Sequence, residues 1–175
     1  MTVSKIRLEE FGRENYAGLI SWVDSEEALM QFAGPLLSFP LTAEQLDISL
    51  ADKNRIAFRI VDAEIGLAVG HAEVYLSENS AKIGRVLIGK KEHRNKGLGQ
   101  QIVGLLLDFS FSNFDISFVE LNVFDWNLGA IKCYGKAGFT INPDKKLERK
   151  IKNEIWTAIN MTIDRLRYEQ IKMYS

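Results

Sequence analysis

The chain has 175 residues, 46% of them hydrophobic and 26% charged, which is the composition of one domain with a buried core. A net charge of −1 and a pI near 6.2 supply no basic surface for nucleic acid or an anionic membrane. A single cysteine, Cys133, excludes an internal disulfide and points to a reducing compartment; with only His71 and His93 it falls short of a zinc set.

The first eleven residues are charged and alternating, unlike a signal peptide, and no apolar run reaches membrane-spanning length. A soluble, cytoplasmic protein is expected. Residues 4–9 place Ile6 and Leu8 on one face of a first strand. Residues 14–24 carry Tyr16, Leu19, Ile20 and Val23 at helical spacing. Ser25 is a cap for a second helix with Leu29 and Phe32, stopped by Gly34-Pro35. Thr42-Ala43-Glu44-Gln45 has the form of a capping box opening a third. Three strands with hairpin-length links follow at 55–61, 65–76 and 81–88, an antiparallel meander. The middle one sets His71, Glu73 and Tyr75 on one face and Ala72, Val74 and Leu76 on the other.

A helix over 97–112 then leads to a strand over 117–124, a length that implies a parallel crossover. A second crossover runs through a helix over 128–137, ended by Gly138 in the manner of a C-cap. The last hairpin pairs 146–151 with 155–163, and the polar tail from 164 is a surface or dimer element. The expected fold is α/β (α+β): a single mixed, mostly antiparallel sheet of about seven strands with a central parallel pair, flanked by about four helices. One domain is expected over 1–175.

The stretch Gly84–Phe109, a strand, a glycine-broken turn and a helix, carries the chemistry. Two glycines, Gly97 and Gly99, stand at the helix start, where unpaired N–H groups and the positive end of the helix dipole suit a diphosphate. A tight turn alone would also use two glycines. The stretch from Gly84 to Lys91 nearly spells a P-loop. It fails because Lys91 stands where a magnesium-binding hydroxyl belongs and because its middle residues are strand formers. A dinucleotide fingerprint starting at Gly97 lacks its third glycine, since Ile102 is there.

His93-Arg94-Asn95-Lys96-Gly97-Leu98-Gly99 resembles the Arg/Gln-x-x-Gly-x-Gly/Ala motif of the GNAT superfamily of N-acetyltransferases. Leu121-Asn122-Val123-Phe124-Asp125-Trp126-Asn127, followed by Ala130, Tyr134 and Gly138-Phe139, is similar to that family's downstream strand-and-helix segment. The order of segments over the whole chain also fits. The branch that looks nearest contains ribosomal-protein N-terminal acetyltransferases.

The resemblance implies that the amides of Arg94, Asn95, Lys96, Gly97, Leu98 and Gly99 hold the diphosphate of acetyl-CoA. It implies that Leu87, Ile88 and Gly89 bind the pantetheine arm and help to polarise the thioester, that Asn127 contacts the cofactor, and that Tyr134 protonates the departing thiolate. Strand-end donors suit a developing oxyanion, and Asn127 is also a good N-cap. Cys133 reads as a small buried residue. Some relatives carry a glutamate base where Asn122 stands, and an amide cannot take a proton. Glu73, Glu120 and His71 are the substitutes, each of which also reads as an ordinary strand residue.

Freeing a lysine amine of pKa about 10.4 at pH 7 costs roughly 4.6 kcal/mol, whereas an α-amine near 7.8 costs about 1. Without a dedicated carboxylate, a water relay would serve an α-amine or another low-pKa amine best. The expected activity is direct transfer of acetyl from acetyl-CoA to a primary amine in a ternary complex, without a metal. The expected partners are acyl-CoA and an amine acceptor, with no nucleic acid and no membrane, in a monomer or homodimer. The alternatives are a non-catalytic acyl-CoA-binding or regulatory module on the same fold, and a mononucleotide-binding protein using the same loop.

Overall fold

The computed structural model describes residues 5–90, 93 and 97–174; the expected start of the first strand at Ser4 and the expected site residues Arg94, Asn95 and Lys96 lie outside them. Seven strands form one open sheet in the order β1-β2-β3-β4-β5-β7-β6. They are β1 (Ile6–Glu10), β2 (Arg55–Asp62), β3 (Ala68–Leu76), β4 (Ser80–Ile88), β5 (Phe118–Phe124), β6 (Thr140–Ile151) and β7 (Glu154–Asp164). Among the described residues there are six α-helices where about four were expected: α1 (Tyr16–Trp22), α2 (Glu26–Ala33), α3 (Ala43–Leu50), α4 (Leu98–Asn113), α5 (Leu128–Lys136) and α6 (Arg165–Met173). The chain divides into two compact units, Met1–Tyr75 with Gly84–Leu98, and Leu76–Ile83 with Gly99–Ser175.

In the first unit β1 and β2 pair antiparallel from Ile6↔Asp62 to Glu10↔Phe58, and β2 pairs β3 antiparallel from Arg55↔Tyr75 to Val61↔Ala68. The two caps read from sequence form: Ser25 Oγ accepts from the Ala28 N–H and Thr42 Oγ1 from the Gln45 N–H. The reciprocal half of the box does not. Gln45 turns its amide to the preceding loop instead, accepting from the Ser38 N–H at 2.8 Å and donating to the carbonyls of Ser38 and Pro40 at 3.0 Å. Three loop groups satisfied by one amide outweigh a single capping bond, and the exchange fixes the entry to α3. Phe11, Tyr16, Leu19, Leu29, Phe32, Leu41 and Leu46 bury their side chains in one cluster with Ala57 of β2. The Phe- and Leu-rich helical region is therefore core on its inner side, while Leu36 and Phe39 stay exposed.

In the second unit the start of β4 lies parallel to β5, Ser80↔Phe118 through Ile83↔Leu121, and α4 makes the crossover between them. The crossover through α5 reaches β6, but β7 lies between β5 and β6 and is antiparallel to both. Strand β6 begins at Thr140, six residues before the expected start. A register shift between Asn142 and Lys146 interrupts its pairing, and Pro143 there broke the alternation on which the sequence reading relied. The tail folds as α6. Asp164 caps it by accepting from the Arg167 N–H at 2.7 Å, and Arg165 donates to the carbonyls of Phe111, Phe114 and Ile116.

Candidate active site

Strand β4 carries the expected pantetheine contacts and departs from ordinary strand geometry at Arg85, whose φ is +49°. Side chains with a Cβ avoid this left-handed region, so the conformation has to be enforced by its surroundings. The burial alternation along β4 gives Ala81, Ile83 and Arg85 the inner positions. The arginine thus occupies an apolar slot, with 7% of its surface exposed. Its Nη1 donates to both oxygens of Glu73 at 3.2 Å and to Ser49 Oγ of α3 at 2.6 Å.

Glu73 collects further partners. Arg55 Nη1 donates to its Oε2 at 2.6 Å, and His71 Nε2 lies 3.1 Å from its Oε1. Burial opposes ionisation of this carboxyl, but the hydrogen bond from His71 and the charges of Arg85, His71 and Arg55 outweigh it and hold the pKa at about 2. Phe11 and Phe32 set ring edges on His71. The Nδ1 of His71 and the Nε of Arg55 are buried and meet no partner among the described residues. A carboxylate saturated in this way is a feeble proton acceptor near neutrality, and its chemical property is fixed negative charge between two guanidinium groups.

Of the three expected strand-end groups, Gly89 already donates its N–H to the Val69 carbonyl at 2.9 Å. Its Cα is pressed against Trp22: a Cβ there would stand 2.3 Å from the indole, so only glycine lets α1 close on the strand. Leu87 and Ile88 are partly exposed. Gly97 has φ +79°, the left-handed conformation that glycine supplies without cost, and Leu98 behind it opens α4 with its side chain buried.

In the second unit Gly99 lies in the first turn of α4, and Cys133 Sγ of α5 stands 3.5 Å from where its Cβ would be. That contact packs α5 against the start of α4. Asn127 is the N-cap of α5, its Oδ1 accepting from the Ala130 N–H at 3.2 Å. Tyr134, two turns along, is half-buried with its ring edge on Phe139, and desolvation pushes its phenol up to about 12. No described residue is hydrogen-bonded to its hydroxyl. Cys133, expected buried, is half-buried; desolvation raises its thiol, which disfavours the reactive thiolate.

Glu120 lies on β5, away from that helix pair in its bonding. It accepts from Lys145 Nζ at 2.8 Å and Asn160 Nδ2 at 2.9 Å. Burial alone would raise its pKa, and these two bonds reverse the shift to a lowering. Asn160, fully buried, also donates to Asn122 Oδ1 at 2.9 Å, so the Asn122 amide is part of a cross-strand polar ladder.

The structure thus groups Leu87, Ile88, Gly89, Gly97 and Leu98 with Glu73 in one unit, and Gly99, Asn127, Tyr134 and Glu120 in the other. Sequence reasoning missed Arg85, Arg55, Ser49 and Trp22. An arginine following Ala81 and Ile83 in the inner phase of a strand was the available signal for the first; nothing local marks the others. Among the described residues no three His, Cys, Asp or Glu side chains gather where they could hold a metal ion.

The model of the acetyltransferase (GNAT) family matches residues 19–139. The fold is that of the aminoglycoside acetyltransferase AAC(6')-Ib in complex with coenzyme A, with a TM-score of 0.77 and 20% identity over 96% of this chain and 99% of that one. It is also that of the spermidine N-acetyltransferase from Vibrio cholerae in complex with CoA and spermine, with a TM-score of 0.78 and 20% identity over 94% and 98% of the two chains. A third structure holds the aminoglycoside enzyme with coenzyme A and kanamycin (TM-score 0.75, 19% identity, 96% and 99% covered). These are not ribosomal-protein enzymes, the branch expected from the motifs.

Proposed function

Because the chain belongs to the GNAT family of acetyltransferases, which move an acetyl group from acetyl-CoA to an amine, we propose the following assignment of its residues and acceptor. The diphosphate of acetyl-CoA lies on the amides of Arg94–Gly99, at the positive end of α4. The end of β4, Leu87–Gly89, holds the pantetheine arm and the thioester carbonyl, and Asn127 contacts the cofactor from the cap of α5.

The amine nitrogen attacks the carbonyl carbon, the tetrahedral oxyanion collapses, the C–S bond breaks, and the thiolate takes the proton of Tyr134. A phenol held near 12 keeps that proton until the sulfur leaves. It can give it up to a thiolate only where the same apolar surroundings raise the thiolate's proton affinity as well. The observation that carries this reading is the packing of α5, with Tyr134, on the first turn of α4 through Cys133 and Gly99.

Neither Glu73 nor Glu120 is the base in this proposal. Both are held below the ordinary carboxylate range by cationic partners, so the amine loses its proton to water. That favours an acceptor already partly neutral at pH 7, such as a protein or peptide α-amine or another low-pKa amine. The enzymes of similar fold were crystallised with spermine and kanamycin, which makes polyamines and aminosugars the controls. In a panel of acceptors at pH 7, peptide α-amines should outpace polyamines and lysine side chains by at least tenfold in kcat/KM. A preference for spermine or lysine would overturn the acceptor assignment.

A further inference from the structure

We propose that Arg85 is a positioning residue for the transfer. Its guanidinium, anchored to Glu73 and Ser49, holds the left-handed turn in β4 that aims Leu87–Gly89 at the thioester. The proposal rests on the assignment of that strand end above.

A non-glycine residue with φ +49° inside a strand is disfavoured by about 1–2 kcal/mol and survives only where its surroundings over-determine it. Here the determinant is visible. One nitrogen, Nη1, reaches three acceptors on two other elements, Glu73 of β3 and Ser49 of α3. Glu73 is itself immobilised by Arg55 and His71, and 2% of its surface is exposed. Two guanidiniums around one carboxylate leave a buried positive charge, and a buried ion cluster of this kind adds little stability over apolar packing. Its evident effect is geometric, because it ties the side chain of residue 85 to β3 and to α3 at once.

The position of the turn gives that pinning a consequence. The pairing of β4 with β5 covers Ser80 to Ile83, and Arg85 follows two residues on. Two residues further comes Leu87, and at Gly89 the strand is clamped again under Trp22 and by the bond to Val69. Leu87, which packs on the core cluster, and Ile88 thus complete the strand between the Arg85 anchor and the Gly89 clamp. Ser49 carries the same anchor into the helical layer, so a shift of α3 reaches the strand end through one hydrogen bond.

The test compares wild type, Ser49→Ala, Ser49→Thr and Arg85→Gly. Arg85→Gly tolerates the left-handed turn but deletes the anchor. Turnover is read as CoA thiol released, acetyl-CoA affinity by calorimetry, and strand geometry by the amide chemical shifts of Val86–Gly89 without substrate. Ser49→Ala should lower kcat about three- to tenfold, with KM and acetyl-CoA affinity within twofold, and Ser49→Thr should restore it. Arg85→Gly should lower kcat on the order of a hundredfold, the scale of a roughly 1 Å misplacement. The amide shifts should move in both deletion variants.

Unmoved amide shifts, or an unchanged kcat in Ser49→Ala, overturn the proposal even where Arg85→Gly fails to fold. So does a loss confined to KM. A wild type that releases no thiol with any amine, while the amide shifts still move in both deletion variants, would leave the anchor standing and remove the transferase assignment instead.

Discussion

Gly97 and Gly99 look equivalent in the motif and are not equivalent in the fold. Gly97 is left-handed at φ +79°, whereas among the described residues a methyl on Gly99 would meet only Cys133 Sγ at an ordinary 3.5 Å. Gly97→Ala should therefore cost about 1 kcal/mol or more of stability, and Gly99→Ala should fold normally, both measurable by urea titration. Gly97→Glu and Gly99→Glu should each abolish CoA binding in calorimetry, because a carboxylate would fill and repel an anion site. Tyr134→Phe removes only the hydroxyl, so turnover should fall at least tenfold with acetyl-CoA affinity unchanged; equal turnover would refute the acid role. The turn at Gly97 and the helix that carries Tyr134 were legible because each belongs to a local motif with fixed spacing. Arg85 was not read because its partners are Ser49 and Glu73, 36 and 12 residues away, and no local pattern announces such a meeting.

At the scale of elements, the strands and capped helices were readable wherever apolar periodicity and a cap coincided. The C-terminal helix was not, since its sequence is polar and its adhesion is made by a few long contacts. Tyr168 stacks on Phe111 at 4.6 Å and donates to Asp108 at 2.7 Å, and Ile171 lies against Gly138. Arg165 closes the carbonyl end of α4, accounting for acceptors that a helix terminus otherwise leaves unpaired. Arg165→Ala should lower unfolding stability by about 2 kcal/mol in urea titration. A change under 0.5 kcal/mol would mean that solvent serves those carbonyls equally well. Gly138, at φ +102° and packed against Ile163 and Ile171, follows the C-cap Ala137 of α5, which lies one residue before the cap expected from sequence, and is also the seat of α6.

The buried carboxylate of Glu73 makes the stability of the molecule sensitive to acid. Glu73 has a folded pKa of about 2 against an ordinary value of 4.5, so the folded state binds its proton less readily than the unfolded chain. Its contribution, on the order of 3 kcal/mol, is fully present above about pH 4.5 and is lost as pH falls from there toward 2. Glu73→Gln should flatten that acid limb in thermal melts between pH 5 and 2.5, and an unchanged limb would assign acid unfolding to other carboxylates. Glu73→Ala leaves the buried Arg85 and the partly buried Arg55 without their carboxylate and should cost about 3–5 kcal/mol. The sequence placed Glu73 on a strand face; only the packing of α3 and β4 over it makes it a structural charge instead of a proton acceptor.

The central claim is that this chain transfers acetyl from CoA to an amine with Tyr134 as the acid. Free thiol followed on mixing the protein with acetyl-CoA, with and without a peptide α-amine, tests it most directly. The account predicts thiol release that requires the amine, matches acetylated product one to one, and falls sharply in Tyr134→Phe. Tight CoA binding with no amine-dependent thiol across the panel would contradict it, leaving a binding module on an acetyltransferase fold.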